Sequence, residues 1–548
     1  MQFDPAKLAR LAEKADLKRL LDRLDGMSAD EIASFVGTSG DGAQGEPVPP
    51  KPRTVKEPDV DFYRFFEQHL TAEQRRTREV VHGWMLAEVR PIINDYWERG
   101  EMPFELVPKM AAMLREAYGE NPGRRYCSDP LLTGLVGMEV ARVDPSVGTF
   151  LGVHWGLCLI SLHFFGSEAQ KAKWYDRLER FEAIGSWALT EPEHGSDAAL
   201  GLETTAERRG DTWILNGAKK WSGNATFADV TVIWAKDTAD GNVKGFLVEK
   251  GTPGFTVEKL PGKIAKRSVE NVLIGLENVE VREADRLPGV NSFRDVAAQL
   301  ATARAGVAWE ACGMAMGLYE QTQRYCTQRV QFGKPIAGYQ LVQNGLVEML
   351  GNVIAIQGMV LQLATLYDDL KALHPRASLA KVFCVSKMRE TASIGRGLLG
   401  GNGILLEHDV ARLFADAEAV YSYEGTHEMN TLIVGRAITG LSAFVQGAPL
   451  AMRSGSVRGG RRLRPPASHP FPQVAPPLVG IVALRRVRAR PLCGALAEIV
   501  LQRCPGLAHG EPVVADHGLT RLLRAPCRKL LLRGLRHGPL AGGGALGR

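Results

Sequence analysis

The 548-residue sequence lacks the patterns of several specialised protein classes. Its eight cysteines are far apart and form no CxxC pair, which argues against a zinc or disulfide framework and for reduced thiols in a cytosol-like compartment. No signal peptide is predicted at the N-terminus, and no membrane span is predicted because no run of eighteen apolar residues occurs. The HExxH and GxSxG motifs of hydrolases are also absent. We therefore expect a cytoplasmic protein without a metal site.

Basic residues are concentrated at the C-terminal end. Residues 446–548 contain 17 Lys and Arg against 3 Asp and Glu, a net charge of +14. Since the whole chain has a net charge of +6, residues 1–445 have a net charge of −8. A nucleic-acid-binding surface is not indicated for this acidic body. The end segment has no Trp, Tyr or Asn, and we expect a disordered basic tail outside the catalytic unit. Two origins stay open: a tail that binds an acidic partner, or out-of-frame translation of GC-rich DNA.

The rest of the chain predicts a helical region, then a region of strands, then a second helical region, and therefore the α+β fold class. Residues 1–58 contain an amphipathic pattern and then a Pro/Gly-rich linker, and residues 59–185 show helical periodicity, as in Arg76–Asn94 and Leu131–Val143. Residues 186–292 alternate in short runs, and the turn signals Asn216-Gly217 and Asp240-Gly241 predict a middle antiparallel β domain. Residues 293–445 predict a four-helix bundle from amphipathic stretches near 297–328, 336–370 and 376–398.

Two polar stretches of the middle region are candidate ligand-binding loops. The stretch from Trp187 to Asp197 combines a hydroxyl, carboxylates and a Gly-Ser turn, and irregular loops of this kind expose amides to planar or phosphorylated ligands. A polar interdomain turn is the alternative. The stretch from Lys220 to Asn224 places an aromatic ring before small polar residues. Trp221 either flanks a flat cofactor or belongs to the core.

Two further stretches lie in the helical C-terminal region. Arg329 offers a guanidinium fork for a diphosphate, although a cation at a helix C-terminus is a sufficient structural reason for it. The glycines of Gly400–Gly403 permit close approach to a phosphate or end a helix. About twenty residues later comes Tyr423-Glu424-Gly425-Thr426. A carboxylate beside Gly-Thr can serve as a base, so Glu424 is the candidate catalytic residue, and an exposed loop glutamate is the alternative.

Together, these four stretches resemble the acyl-CoA dehydrogenase/acyl-CoA oxidase flavoprotein family over about residues 60–445. The signature that begins at Ala188 differs from the family at His194 and Leu200, where small residues are usual. The signature around Gly400–Gly403 differs at Gly397, where an acidic or amide side chain is usual. Within the family, the sequence most resembles the branch that contains glutaryl-CoA dehydrogenases and plant-type short-chain acyl-CoA oxidases.

The resemblance implies FAD between the β domain and the bundle, and a homo-oligomer, either a dimer or a tetramer. Residues 397–401 are expected to reach the FAD of a neighbouring subunit. Since Gly223 stands where Thr or Ser is usual, one flavin hydrogen bond is expected to be missing or rearranged. The positions that match FAD contacts are Trp187, Leu189, Thr190, Ser196, Trp221, Gly223, Arg329, Phe332, Gln340, Gly397, Leu398, Gly400, Gly401, Thr426 and Glu428.

The implied reaction removes the α-proton of an acyl-CoA thioester and transfers the β-hydride to flavin N5, which yields the trans-2-enoyl-CoA. Glu424 matches the base, and the position used by some relatives is Ala303 here. Ser196, Arg304 and Gly425 match acyl-CoA contacts.

The resemblance leaves the acyl group and the electron acceptor open. Gly148 occupies the place of the arginine that holds the distal carboxylate in glutaryl-CoA enzymes, so we expect a short, uncharged acyl chain. The chain lacks a C-terminal peroxisomal tripeptide, which favours a cytoplasmic dehydrogenase that reduces an electron-transfer flavoprotein. The alternatives are a short-chain acyl-CoA oxidase that uses O2, a glutaryl-CoA dehydrogenase, and a catalytically silent acyl-CoA-binding protein.

Overall fold

A computed structural model of the protein describes residues 56–367 and 370–443. The predicted N-terminal helix and most of the linker, as well as the predicted tail of residues 446–548, lie outside the described residues. The five cysteines within the described ranges are free thiols.

Side-chain caps explain where several helices of the N-terminal domain begin. The Thr71 hydroxyl accepts a hydrogen bond from the backbone N–H of Gln74, and the Gln74 side chain accepts one from the Thr71 N–H. Asp144 accepts a hydrogen bond from the backbone N–H of Val147 at 2.8 Å and caps the helix that begins at Pro145. The helices are α1 Phe65–His69, α2 Ala72–Trp84, α3 Ile93–Arg99, α4 Leu106–Tyr118, α5 Pro122–Ser128, α6 Pro130–Val143, α7 Pro145–Leu151, α8 Ile160–Phe165 and α9 Glu168–Glu179, with π-helical turns at Met85–Val89 and Gly152–Leu159.

The middle domain is a seven-stranded sheet within the described residues. A short helix, α10 Ala198–Gly201, follows the first strand. The strands are β1 Gly185–Ala188, β2 Thr205–Arg209, β3 Thr212–Gly223, β4 Val230–Asp237, β5 Val243–Glu249, β6 Phe255–Lys259 and β7 Asn271–Arg282.

The prediction of an antiparallel sheet is wrong in one respect, because the sheet is mixed. β1 pairs with β4 in parallel, with Gly185 opposite Val230, and β2 also runs parallel to the end of β4. The other pairs are antiparallel. Parallel neighbours need a long crossover connection, which hairpin turn signals do not reveal. The segment that follows β1 belongs to this crossover and contains the first candidate loop.

The two predicted turns have different outcomes. Asp240-Gly241 lies between β4 and β5, as expected for a hairpin. Asn216-Gly217 lies inside β3, where the register with β7 shifts between Leu215 and Gly217. A Cβ on Gly217 would lie 2.7 Å from the Cα of Thr204, so the glycine permits close backbone approach at a bulge instead of a turn.

The predicted bundle is formed by the helices α11 Phe293–Gln328, α12 Gln340–Ala364, α13 Leu370–Leu398 and α14 Val410–Ser422, and α15 His427–Thr439 packs on α13. A two-stranded ribbon, β8 Val330–Gln331 and β9 Lys334–Pro335, connects α11 to α12. Helix α11 also packs closely on α6. A Cβ on Gly313 would lie only 1.9 Å from the Met138 carbonyl oxygen, so glycine is required for this contact. The contact joins the bundle to the N-terminal domain.

Two helical stretches within the described residues are long and apolar enough to cross a membrane by length and composition alone. Pro145–Phe165 is 67% buried inside the protein, and Gln340–Ala364 is 39% buried. The first is therefore explained as a core helix. The second leaves apolar side chains such as Leu341 and Val347 exposed on its surface.

Candidate active site

A cavity of about 1300 Å³ lies between the N-terminal helices, the sheet and the bundle. Its walls come from α6 to α8, the loop after β1, the end of β3, residues 262–271, α11 and the connection between α14 and α15. Three of the four candidate stretches meet here. The predicted site residues that line it are Trp187, Leu189, Thr190, Ser196, Trp221, Gly223, Glu424, Gly425 and Thr426.

The loop after β1 is anchored by a buried ion pair between Glu191 and Lys219. Lys219 Nζ lies 2.8 Å from Glu191 Oε1, and the same carboxylate accepts from the backbone N–H groups of Glu203 and Thr204 at 2.7 and 2.8 Å. Burial lowers the pKa of Lys219 to about 8, against the attraction of Glu191. Glu191 therefore supports the loop from outside the cavity, which Trp187, Thr190 and Ser196 line.

His194, at which the sequence departs from the family, is directed away from the cavity. Its Nδ1 lies 2.9 Å from Asp197 Oδ2, and its Nε2 lies 3.3 Å from Glu203 Oε1. These two hydrogen bonds raise the pKa of His194. The departure therefore adds contacts inside the loop and places no imidazole in the cavity wall.

Trp221 is a wall residue and not part of the core. Its side chain is 54% exposed, and its backbone is left-handed with φ +71° at a register shift between Lys220 and Ser222. The neighbouring Ser222 hydroxyl is buried, lines the same cavity and has no hydrogen-bond partner among the described residues. Gly223 has little spare room, since an added Cβ would lie 3.1 Å from Val153 Cγ2. The wall thus offers an aromatic face and an unsatisfied hydroxyl.

Glu424 lies in the short connection between α14 and α15. Its backbone is left-handed with φ +53°, and Gly425 follows at φ +81°. Such a backbone costs free energy in a residue with a side chain, of order 1–3 kcal/mol, and persists where surrounding contacts hold it. Asn430 Nδ2 supplies one, donating to Gly425 O at 2.8 Å, and Thr426 caps α15 by accepting from Met429 N at 3.2 Å.

The environment of Glu424 favours the protonated form of its carboxyl group more than water does. The side chain is reached from the cavity but is surrounded by protein, and this burial raises its pKa. Arg304 and Lys381 oppose the rise, whereas the negative charge of Glu310 adds to it. A carboxylate whose pKa is raised is a stronger proton acceptor than an ordinary glutamate, and its place beside a cavity lets it exchange a proton with a bound ligand.

Arg304, a predicted acyl-CoA contact, is buried behind the loop and does not line the cavity. Its Nε donates to Glu424 O at 3.4 Å, and its Nη1 donates to His374 Nε2 at 3.0 Å. Burial and the charge of Arg304 lower the pKa of His374 to about 4, so the imidazole is a neutral acceptor. Arg304 therefore supports the backbone of Glu424.

The remaining predicted FAD contacts lie outside the cavity of a single chain. Phe332, at the β8–β9 turn, is 93% exposed. Gln340 is the first residue of α12, and the glycines at 397, 400 and 401 would meet no atom within 4 Å if they carried a Cβ. The residues in question are Arg329, Phe332, Gln340, Gly397, Leu398, Gly400, Gly401 and Glu428. None of these residues lines the cavity with Glu424, although Glu428 follows it by only four positions.

The sequence reasoning missed a polar group in the same cavity wall, formed by Thr149, Lys266, Glu310 and Tyr423. The family resemblance indicates only Ala303 as a second position for a base on α11, whereas Glu310 lies two turns further along that helix and also lines the cavity. Lys266 and Glu310 are 44 residues apart and meet only through the fold. No motif spacing would have connected them.

Comparison with known proteins identifies the family. The models for the N-terminal, middle and C-terminal domains of acyl-CoA dehydrogenase match residues 71–182, 186–279 and 293–439. The chain belongs to the acyl-CoA dehydrogenase family. The family resemblance and the three-part fold expected from the sequence are therefore confirmed, and the protein is an oxidoreductase of the acyl-CoA dehydrogenase class.

An acyl-CoA dehydrogenase of Bacillus subtilis (strain 168) is 32% identical over 382 residues, which cover 68% of this chain and 99% of the relative. A glutaryl-CoA dehydrogenase of Mycobacterium smegmatis, solved in complex with FADH2, is 32% identical with a TM-score of 0.66, covering 68% of this chain and 96% of the other. Butyryl-CoA dehydrogenase of Megasphaera elsdenii is 29% identical with a TM-score of 0.64, and 67% of this chain and 98% of that chain are covered.

Proposed function

We propose that the protein catalyses the FAD-dependent α,β-dehydrogenation of a short, uncharged acyl-CoA to the trans-2-enoyl-CoA, with Glu424 as the base. The observation that carries the proposal is Glu424 itself, a carboxyl group whose pKa is raised by burial at the wall of a cavity flanked by the Trp187 and Trp221 stretches. FAD-dependent acyl-CoA dehydrogenation is the general activity of the family. The identity of the base and the short, uncharged nature of the acyl group are the parts that this proposal adds to the general activity.

The residues of the cavity fit a flavin. Trp221 exposes more than half of its surface, and Ser222 carries a buried hydroxyl that needs a partner. Ser222 directly precedes Gly223 at the end of β3, and both residues line the cavity. FAD, when bound, supplies the acceptor for the β-hydride. Trp187, Thr190 and Thr426 complete the wall that would hold it.

Glu424 acts on the substrate by removing the α-proton. This proton is weakly acidic, so the negative charge that develops on the thioester oxygen requires nearby donors. The backbone N–H of Glu424 is our candidate donor from this chain. The left-handed conformation at Glu424 and Gly425, held by Asn430, keeps the carboxylate and this amide on one short loop.

An uncharged acyl group is favoured over a dicarboxylic one. Gly148 lines the cavity and provides no cation for a distal carboxylate. An added Cβ there would meet Val140 Cγ1 at 3.6 Å, which is ordinary contact, so the missing side chain is not forced by packing. Faster turnover of glutaryl-CoA than of butyryl- or hexanoyl-CoA would contradict this part of the proposal.

We further propose a homo-oligomer that passes electrons to an electron-transfer flavoprotein in the cytoplasm. Exposed apolar side chains on and beside α12 support self-association, namely Phe332, Leu341 and Val347, which are 93%, 86% and 69% exposed. A partner subunit at this surface would cover the predicted FAD contacts that one chain leaves outside its cavity. Light scattering measures the oligomeric state, and a monomer that retains FAD would contradict this arrangement. Hydrogen peroxide formed without an added acceptor would favour the oxidase alternative.

The base assignment is tested with Glu424→Gln. The variant should retain flavin and lose turnover of butyryl-CoA with a dye acceptor by several orders of magnitude, because the amide accepts no proton. Glu390→Gln serves as the matched control, since Glu390 pairs with Lys387 on the surface of α13. Flavin-loaded Glu424→Gln with undiminished turnover would show that another residue is the base.

A further inference from the structure

The polar group missed by the sequence reasoning forms one connected cluster at the cavity wall. Lys266 Nζ donates to Thr149 Oγ1 at 2.6 Å, to Pro145 O at 2.9 Å and to Tyr423 OH at 3.0 Å, and it forms an ion pair with Glu310 Oε1. The Tyr423 hydroxyl donates to Glu310 Oε2. The cluster therefore joins α7, the 262–269 segment, α11 and the loop of the proposed base.

The two charged members of the cluster differ in what they offer to a ligand. An ammonium group has three N–H donors, and Lys266, only 4% exposed, already has four acceptors around it. A carboxylate has about four acceptor sites, and Glu310 receives two donors from the described residues while its side chain is 13% exposed. The group that retains hydrogen-bonding capacity toward the cavity is therefore the Glu310 carboxylate, an acceptor with negative charge.

The cluster lies beside the reacting end of the cavity. Tyr423, which donates to Glu310, directly precedes Glu424 in the chain. Ala303 and Gly306, earlier on the same helix as Glu310, also line the cavity. Glu310 is also near enough to Glu424 to affect the pKa of that carboxyl group, so an acyl group whose α-carbon lies at Glu424 shares the cavity with this carboxylate.

We propose that Glu310 is a specificity-determining residue that selects acyl groups with a hydroxyl beyond Cβ and rejects acyl groups that end in a carboxylate. This inference rests on the proposed function. A hydroxyl group of the substrate donates a hydrogen bond to a free acceptor site of Glu310. An apolar acyl chain displaces water from the carboxylate and supplies no hydrogen bond in its place. A terminal carboxylate places like charges together in a poorly hydrated cavity, and Lys266 has no donor left to compensate.

The test compares three five-carbon thioesters on the purified holoenzyme: pentanoyl-CoA, 5-hydroxypentanoyl-CoA and glutaryl-CoA. For the wild type, kcat/KM should be about 100-fold higher for the hydroxylated thioester than for glutaryl-CoA, as expected when like charges oppose each other. In Glu310→Gln the charge of Lys266 is no longer compensated, so this ratio should fall at least about tenfold. A wild-type ratio near one, or a ratio that the substitution leaves unchanged, would overturn the inference.

A second variant covers the case in which Glu310→Gln does not fold because it leaves a buried ammonium unpaired. Lys266→Met with Glu310→Leu removes both charges and the acceptor oxygens, and it should lose the preference for the hydroxylated thioester over pentanoyl-CoA without gaining turnover of glutaryl-CoA. Glu320→Gln is the matched control, because Glu320 lies on the same helix, is buried, pairs with Arg142 and is outside the cavity. Its ratios should equal those of the wild type, and a double variant that keeps the hydroxyl preference would contradict the role of Glu310.

The two levels of the proposal fail in different ways. Turnover of pentanoyl-CoA with wild-type and variant ratios that coincide would overturn only the role of Glu310. A flavin-loaded wild type that reduces the dye with none of the three thioesters would overturn the proposed function and this inference together.

Discussion

Lys381 Nζ donates a hydrogen bond to the carbonyl oxygen of Gly425 at 2.5 Å. Lys381 lies on α13 and is almost fully buried, and Gly425 directly follows the proposed base. Asn430 on α15 donates to the same Gly425 oxygen, and Arg304 on α11 donates to the neighbouring carbonyl oxygen of Glu424. Because Glu424 has a left-handed backbone, these contacts from three helices hold a conformation that the loop alone would not favour.

Lys381→Met should move the acid limb of the pH–rate profile to higher pH. The base must be ionised to take a proton, burial raises the pKa of Glu424, and the positive charge of Lys381 opposes that rise. Removal of the charge raises the pKa of Glu424 further. On acidification, activity is therefore lost at a pH about half to one unit higher than in the wild type. The measurement is kcat/KM for butyryl-CoA from about pH 5 to 9.

The control for this profile is Lys387→Met, since Lys387 lies on the same helix but pairs with Glu390 at the surface. Its acid limb should coincide with that of the wild type. A Lys381→Met profile that stays in place or moves to lower pH would contradict the electrostatic role, even if kcat falls because the loop has moved.

Ser222→Ala should weaken flavin binding by about three- to tenfold, the usual effect of losing one hydrogen bond to a buried hydroxyl. Fluorescence titration of the flavin-free protein measures the change. Ser378→Ala is the matched control, because Ser378 is also buried without a partner among the described residues but does not line the cavity. Equal flavin affinities for Ser222→Ala and the wild type would remove Ser222 from the proposed flavin site.

Arg412→Met should lower the free energy of unfolding by about 3–5 kcal/mol, because it leaves a buried carboxylate without its cation. Arg412 is fully buried, forms an ion pair with Asp144 and donates from Nε to Asn94 Oδ1 at 2.7 Å. These contacts join α14 to the N-terminal domain. Equilibrium unfolding in guanidinium measures the loss, and Arg282→Met, which breaks an exposed pair with Asp285, should change stability little. Similar stability of the two variants would contradict this role of Arg412.

The sequence predicted much of the site but not its assembly. The stretches at Trp187, Trp221 and Glu424 were recognised separately, and the fold brings all three to one cavity. Arg329 and Gln340 were recognised with the same reasoning, yet they lie outside that cavity in one chain. A motif reports which residue types occur together in a family, and it does not report which chain of an assembly completes the site.

The sequence by itself determined the features that depend on neighbours a few residues apart. The caps at Thr71 and Ser167, the periodicity of the long helices and the family signatures are of this kind. Only the tertiary structure decided that β1 runs parallel to β4, that Lys266 pairs with Glu310, and that Glu424 is enclosed enough to raise its pKa. Strand pairing, ion pairing and desolvation all depend on segments that are distant along the chain, and local sequence does not specify which distant segments come together.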